Sequence, residues 1–428
     1  MELQDERRRN QEESSGESLG QEKSRTFSTH EERQRSSSRG DGHKSSHHHH
    51  HHCCKRSFVY RGTRRHRHLQ KRQHDQGMLP SASHRHEHAP RNTISVMSYN
   101  VLADAYAKKH SRELYSSVPW TCLRWPTRAS LLAKEIVHWS PTVVCLQEVD
   151  KFQHLESLLK HHGYVGRYLQ RTNDRPDGLA MFWKSKAFSL VNAEDVMFAG
   201  HGMRDNVAQV YTLQYTGKLE GSDPFELVVS NIHVLFNPKR GDIKLGQVRV
   251  LMDTITKASQ DGMIPVVMCG DYNSAPYSNL YDFVSSGYLN ILESDRRSVS
   301  GQIAGNTASL QRHKSAPKPW KMEEIMMAVG SEENILRHSL GLESSYKYVL
   351  GEEPGFTTAH DKYVGTVDYI FYSNGSQKKG PWRLEPHRVL RPPPEHAIIP
   401  RGLPCGFWPS DHISLLTSFN LVHHTDDV

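Results

Sequence analysis

The sequence has no apolar run of membrane-spanning length, so no helical span is expected. Its six cysteines, Cys53, Cys54, Cys122, Cys145, Cys269 and Cys405, contain no CxxC pair. That spacing suggests neither a disulfide framework nor a thiolate metal site. Cys145 and Cys269 fall inside apolar runs and read as buried thiols, which fits a reducing compartment. The opening MELQDERRR has neither a secretory core nor an acid-poor transit composition, so a cytoplasmic or nuclear location is expected. Residues 1–90 almost lack aliphatic side chains. A segment of Ser, Arg, Gln, Glu and His cannot bury enough apolar area to offset its ordering entropy, and it is expected to be disordered.

Charge is also scarce where it would matter. The tail holds 18 Lys+Arg against 12 Asp+Glu, and the whole chain is +7, so residues 91–428 carry only about +1. A globally basic nucleic-acid binder is thereby excluded, and an anion bound there must be met by a local groove or by metal ions. The tail also holds 14 of the 29 histidines, including the run His47 to His52, with the composition of a metal-binding tract or a tag. RGTRRHRHLQKR (61–72) reads as a solvated basic segment, with a nuclear address or an RNA tether as its functional alternatives. GESLG (16–20) has the GxSxG spacing but no flanking strand or helix, so it is not a serine-hydrolase elbow.

From residue 94 the pattern changes. ISVMSYNVL (94–102), PTVVCLQEV (141–149), GLAMFW (178–183), NVAQVYTLQY (206–215), FELVVSNIHV (225–234), the stretch 264–273, GTVDYIFYS (365–373) and SDHISLLTSFNLV (410–422) read as strands. Helices are expected over 128–140, with Leu131, Leu132, Ile136 and Trp139 on one face, and over 152–163, 242–259 and 279–287. The polar stretch 292–340 reads as a long surface insertion. Strands and helices mixed in one block over 91–428 imply an α/β or α+β domain with sheet packed on sheet and helices outside.

The chemistry collects at strand ends. Asn100 closes SVMSYN, Glu148 closes VVCLQE, and His233 ends VVSNIH. Asp271 and Asn273 close VVMCGDYN, Asp368 sits in TVDYIFY, and Asp411 and His412 open SDHISLL. Each has an ordinary reading taken alone: a cap, a rim ion pair, a turn. Together they are hard oxygen donors plus histidines. Glu148, Asp271 and Asn100 suit Mg²⁺, which takes few protein ligands and keeps waters or phosphate oxygens. Two such ions clamp the attacking and leaving oxygens of an in-line displacement. Asp368 with His412 supplies a carboxylate-held histidine, and Asn273 is placed to orient water or a phosphate oxygen.

The ordered set SYNVLAD, CLQEVD, NIHVLFNP, GDYNSAP, GTVDYIFYS and SDHISLL resembles the endonuclease/exonuclease/phosphatase superfamily. MRDNVAQV and GDIKLGQVR resemble its carbon catabolite repressor 4, Nocturnin and Angel branch, with plant carbon catabolite repressor 4 homologues the best match. The resemblance covers roughly 91–422, the insertion apart. It implies a four-layer α/β sandwich and a Mg²⁺-dependent hydrolase of RNA 3′ ends, usually poly(A), with Mn²⁺ as a substitute ion. Carried over, Glu148 is a metal ligand. Asn100, Asp271 and Asn273 line the metal and phosphate site, and Asp271 is also a candidate to activate water. His233 contacts the scissile phosphate, Asp368 pairs with the catalytic His412, and Asp411 ligates a second ion. Pro238 and Tyr363 sandwich the terminal base. The partner implied is single-stranded RNA with a poly(A) 3′ end. The leucine-rich-repeat domain that docks a second deadenylase in yeast-type members has no counterpart here, so assembly through such a domain is not expected. RNA 2′,3′-cyclic phosphate removal and nucleotide phosphatase activity are the alternatives on the same metal site. A non-catalytic RNA-binding role ranks below them, because no expected ligand is missing.

Overall fold

Strands buried on both faces carry apolar side chains at nearly every position, alternate residues going to opposite sides. That is how the central strands of this chain are written. A computed structural model describes residues 58–60, 92–219, 224–302, 319–376, 379–398 and 402–423. The expected tail, apart from 58–60, and with it the histidine run, 61–72 and 16–20, lies outside the described residues.

Two mixed sheets pack face to face. In the seven-stranded sheet the order is Phe58–Tyr60, Trp382–Leu390, Leu415–His423, Thr93–Asn100, Val143–Val149, Gly178–Lys184 and Tyr164–Gln170. The six-stranded sheet runs Leu342–Ser344, Asp368–Ser373, Val266–Asp271, Glu226–His233, Val207–Tyr215 and Phe188–Met197. Each sheet has a single parallel pair, Thr93–Asn100 with Val143–Val149 in one and Glu226–His233 with Val266–Asp271 in the other.

Parity sorts the core. Ile94, Val96, Val143, Cys145, Val229, Val267, Cys269, Ile370 and Leu415 fill the layer between the sheets. Their odd-even partners Met97, Tyr99, Val144 and Leu146 meet the helices Trp125–Trp139 and Phe152–Lys160. Val228, Ile232, Val266, Met268 and Phe371 meet the helices Gly241–Ala258 and Asn279–Ser286. Each such aliphatic side chain, fully buried, contributes on the order of 1.5–3 kcal/mol. The result is the four-layer sandwich, helices outside both sheets. A buried polar chain also crosses the inter-sheet layer: Gln147 Nε2 donates to Asn231 Oδ1 at 2.8 Å, and Asn231 Nδ2 donates to Gln209 Oε1 at 3.2 Å. These bonds fix the sheet-to-sheet register, while Gln147 Oε1 stays buried with no partner.

Several local expectations change. Phe58–Tyr60, inside the stretch expected to be disordered, pairs antiparallel with Trp382–Leu390. The buried stripe of Trp125–Trp139 is Trp125, Arg128, Ala129, Leu132 and Ile136, with Leu131 and Trp139 only half-buried. The last ladder begins at Leu415, not Ser410, which leaves 410–414 irregular. The stretch 292–340 is not simply a surface insertion. Val299, Trp320, Leu336 and Leu340 are buried in the core outside the second sheet, and the helix Met322–Val329 lies against Gly241–Ala258. A Cβ on Gly246 would come within 2.4 Å of Met327 O, so the two helices meet backbone to backbone. Residues 303–318 of that stretch lie outside the described residues.

Gly270, one residue before the strand-end aspartate, is similarly confined. A Cβ there would stand 2.2 Å from Ile232 O on the neighbouring parallel strand. Gly270→Ala is therefore expected to cost about 1–3 kcal/mol by overpacking and to displace Asp271. A urea midpoint lowered with the slope unchanged is the check; an unchanged midpoint would refute the close approach.

Candidate metal-centred active site

The alternation that builds the inter-sheet layer also aims its last residues. The series 94, 96, 98, 100 puts Asn100 at the end of that face, 267 and 269 lead to Asp271, 229 and 231 to His233, and 372 and 370 back to Asp368. Asp271 lies directly opposite Asp368 on one side and beside His233 on the other. Glu148 is out of phase, since 143, 145 and 147 face inward. A register shift between Leu146 and Val149 and a left-handed φ of 56° at Glu148 turn its side chain into the cleft. Bulges and such backbone outliers re-aim functional side chains at a cost that the surroundings must sustain.

The contacts are direct. Asn100 Nδ2 donates to Glu148 Oε1 and to Asp271 Oδ2, each at 3.1 Å. Ala103 N donates to Glu148 Oε2 at 3.1 Å. Asn273 N donates to Asp271 Oδ1 at 2.8 Å. His412 Nδ1 meets Asp368 Oδ2 at 2.8 Å, while its Nε2 faces Asp271 Oδ2 at 3.9 Å and His233 Nε2 lies 3.5 Å from that same oxygen. Tyr115 OH donates to Asp411 Oδ2 at 2.8 Å. Asn100, expected among the metal ligands, accepts through Oδ1 from Leu102 N at 3.1 Å. In this arrangement it ties the two carboxylates together with its nitrogen.

Electrostatics separates the two histidines. Burial lowers His412, but the charge and hydrogen bond of Asp368 prevail and hold it well above the usual imidazole range. Burial and the nearby charge of Arg171 hold His233 well below that range, so it is neutral. Burial, then the charges of Asp411 and Asp177, push Glu148 up to about 8. Burial and Asp368 push Asp271 up to about 7. The single charge of His412 does not offset carboxylates crowded this way. Asp271, Asp368 and His412 offer ligand atoms all within 4.8 Å of one another, and Asp368 Oδ1 is buried with no partner. An oxygen-rich, thiol-free set of this kind fits a hard divalent cation.

Metal-free, Glu148 and Asp271 keep protons that the unfolded chain has released by pH 5. Stability of the metal-free protein should then fall as pH rises from 5 to 8. A cation must displace those protons, so its stabilisation should grow over the same interval. The rise in melting temperature on adding Mn²⁺ is expected to be larger at pH 8 than at pH 6. A pH-independent rise would mean these carboxylates do not hold the ion.

Other residues the sequence did not flag complete the site. Lys244, fully buried, donates from Nζ to Asn273 O at 2.5 Å, and burial pushes it down to about 7. Arg128 Nη1 binds Val101 O at 2.9 Å, Leu102 O at 2.8 Å and Pro409 O at 3.3 Å, clamping the Asn100 loop to the loop before Asp411. Asp177 accepts from Tyr106 OH at 2.6 Å and Arg171 Nη1 at 3.3 Å. Asp177 could have been found, because it precedes an apolar strand as Asp271 closes one. Tyr363 sits half-buried on the hairpin Thr358–His360 and Tyr363–Gly365. That hairpin is zipped to the site: Ala359 N donates to Asp411 O at 2.9 Å and Ile413 N to Thr357 O at 2.8 Å. Pro238 is half-buried on the loop leaving His233. Asn273 has a φ of 46°, and its Nδ2 donates to Val234 O at 3.0 Å.

Residues 97–412 match the Endonuclease/Exonuclease/phosphatase family. The chain is 40% identical over 346 residues to "Carbon catabolite repressor protein 4 homolog 3" of Arabidopsis thaliana, covering 76% of this chain and 75% of that protein. It is 33% identical over 328 residues to "Protein angel homolog 2" of Bos taurus, covering 67% of this chain and 59% of that protein. Among solved structures it is similar to ANGEL2, described as a 2′,3′-cyclic phosphatase, in complex with adenosine-2′,3′-vanadate. The TM-score is 0.64 at 34% identity, covering 77% of this chain and 95% of that one.

Proposed function

The chain belongs to the endonuclease/exonuclease/phosphatase family, and within it we propose a Mg²⁺-dependent hydrolase acting on the 3′ end of single-stranded RNA, shortening adenosine tails. The observation that supports this most is the join between metal cluster and base-facing hairpin. Tyr363 lies on the strand paired with Thr358–His360, and residues 357–359 of the hairpin are hydrogen-bonded directly to 411–413. A stacking face and a phosphate site are thereby held at fixed spacing, which positions a terminal nucleotide for attack.

Glu148 and Asp271 would hold the ion, which supplies charge neutralisation at phosphate oxygens and lowers the pKa of bound water. Asn100 keeps those two carboxylates together. His412, kept cationic by Asp368, donates to a phosphate oxygen as negative charge builds on it. Neutral His233 is free to orient the phosphate, and Asn273 flanks the attacking side. Water adds to phosphorus, the bond from phosphorus to the O3′ of the preceding nucleotide breaks, and 5′-AMP leaves a new 3′-hydroxyl.

The similarity to ANGEL2 favours a second reading on the same residues. There, water opens a 2′,3′-cyclic phosphate by breaking one ring P–O bond, and a second hydrolysis releases phosphate. One experiment separates the two. The full chain with Mg²⁺ is given 5′-labelled RNA ending in adenosines and, in parallel, RNA ending in a 2′,3′-cyclic phosphate. A ladder that shrinks and stalls at the first non-adenosine supports the deadenylase. An unshortened RNA whose cyclic end alone is opened overturns it in favour of end repair. No action on either substrate rejects both.

A further inference from the structure

Trp120, Phe236, Tyr277, Tyr288 and Phe407 are the aromatic side chains left largely open to solvent among the described residues, at 56, 69, 59, 44 and 51% exposure. Tyr288 has Arg337 4.9 Å from its ring centre and Tyr277 has Lys347 at 5.0 Å, but Tyr288 lies on the short strand Tyr288–Asn290, away from the active-site residues in sequence. The other four share a feature in sequence. Phe236 follows His233 by three residues, Tyr277 follows Asn273 by four, and Phe407 precedes Asp411 by four. Trp120 follows Tyr115, which holds Asp411, by five. They come from both sheets, and each sits on a connection that begins or ends at the active site.

These rings are displayed by anchored turns. Around Phe236, Leu235 N is bound by Gln247 Oε1 at 2.9 Å and Lys239 N by Asn237 Oδ1 at 2.9 Å. Phe407 tops a turn closed by Cys405 N to Trp408 O at 2.8 Å, with Trp408 buried beneath. Trp120 opens a helix closed by Cys122 N to Pro119 O at 2.8 Å. Tyr277 is held at a φ of 60°, costly for a bulky residue, with Tyr281 at 5.5 Å and Lys347 Nζ 5.0 Å from its ring centre. Rigid presentation of apolar rings to water has a cost unless something covers them in function.

We propose that Trp120, Phe236, Tyr277 and Phe407 form a stacking rim for the nucleotides on the 5′ side of the reacting RNA end. This rests on the reading that the site works on RNA 3′ ends. The reacting groups lie deep, with Asp271 and Asp368 at 2% exposure and His412 at 7%, so a substrate chain must cross the mouth to reach them. A duplex hides its base faces and is excluded, whereas a single strand offers a face at every nucleotide. The near-neutral charge of residues 91–428 points the same way. With little net positive charge to neutralise phosphates, stacking supplies the grip of this region on RNA, and its salt dependence is shallow.

The test uses the full chain in an inactive Glu148→Gln background. Binding of 5′-labelled single-stranded RNA eight nucleotides long, and of AMP, is measured by anisotropy and by calorimetry. Phe236→Ala and Phe407→Ala are each expected to weaken the eight-mer about tenfold, by loss of one stacked base, with AMP affinity unchanged. Equal weakening of AMP would mean that the rings only shape the pocket, and an unchanged eight-mer would mean that RNA does not touch them; either overturns the rim. If the wild-type protein acts on neither RNA end while the variants still lose the eight-mer, the catalytic reading fails and the rim stands.

Discussion

Replacing Glu148 by glutamine is expected to lower kcat by at least about 10³-fold, or about 4 kcal/mol, while the metal-free protein melts no lower than the wild type. The two halves of that expectation have one cause. Glu148 lies where burial and the charges of Asp411 and Asp177 raise it to about 8, so its negative charge is unwelcome in the fold until a cation arrives. Glutamine keeps the size and an acceptor for Asn100 or Ala103, and it removes the charge. Repulsion is relieved and the ion is lost. The measurement is a pair: turnover on the RNA substrate, and melting temperature with and without Mn²⁺. A variant that loses activity but keeps the full Mn²⁺-induced shift would move the metal site away from Glu148. A metal-free protein that melts much lower would make Glu148 a structural residue.

The strands that carry the site were legible in the sequence because they are the most buried. ISVMSYN, VVCLQEV and VVMCGD are apolar at both parities, which only a strand covered on two faces requires. Edge strands were not. Phe188–Met197 and Tyr164–Gln170 alternate weakly between buried and exposed positions, so their period is blurred. Trp382–Leu390 carries Pro386 beside a register shift, which reads as a break. In 292–340 the abundance of Ser, Gly, Gln and Lys outweighed a few well-placed apolar residues, Val299, Trp320, Leu336 and Leu340, that anchor it.

For the site, the strand-end rule found Asn100, Glu148, His233, Asp271 and Asp368, since a residue's parity along a strand is visible in one dimension. It could not show that Glu148 breaks parity and returns through a bulge, nor that Asn100 turns its nitrogen to the carboxylates. Residues arriving from helices were invisible. Lys244 lies between Ile243 and Leu245 on a helix buried nearly all round, where no stripe marks it. Arg128 shares the i, i+4 stripe of Leu132 and Ile136, and its charge masked its membership.

The pair His412 and Asp368 gives the second large effect. Asp368→Asn is expected to lower kcat by about 10²–10⁴-fold, the range for a positioned proton donor, with His412 still in place. His412 Nδ1 meets Asp368 Oδ2 at 2.8 Å, and that carboxylate is what keeps the imidazole charged against its burial. Asparagine retains a polar contact without the charge, so the imidazole's pKa falls. A donor that must be protonated is lost as pH rises through its pKa. The alkaline limb of the activity profile should therefore move to lower pH in Asp368→Asn, and part of the lost rate should return in acid. His412→Gln should show the same loss with no such limb. The double variant should be no slower than the slower single one, because the two residues act as a unit. Additive losses, or an alkaline limb that stays put, would show that Asp368 serves the cation through its unpartnered Oδ1 and not His412 through Oδ2.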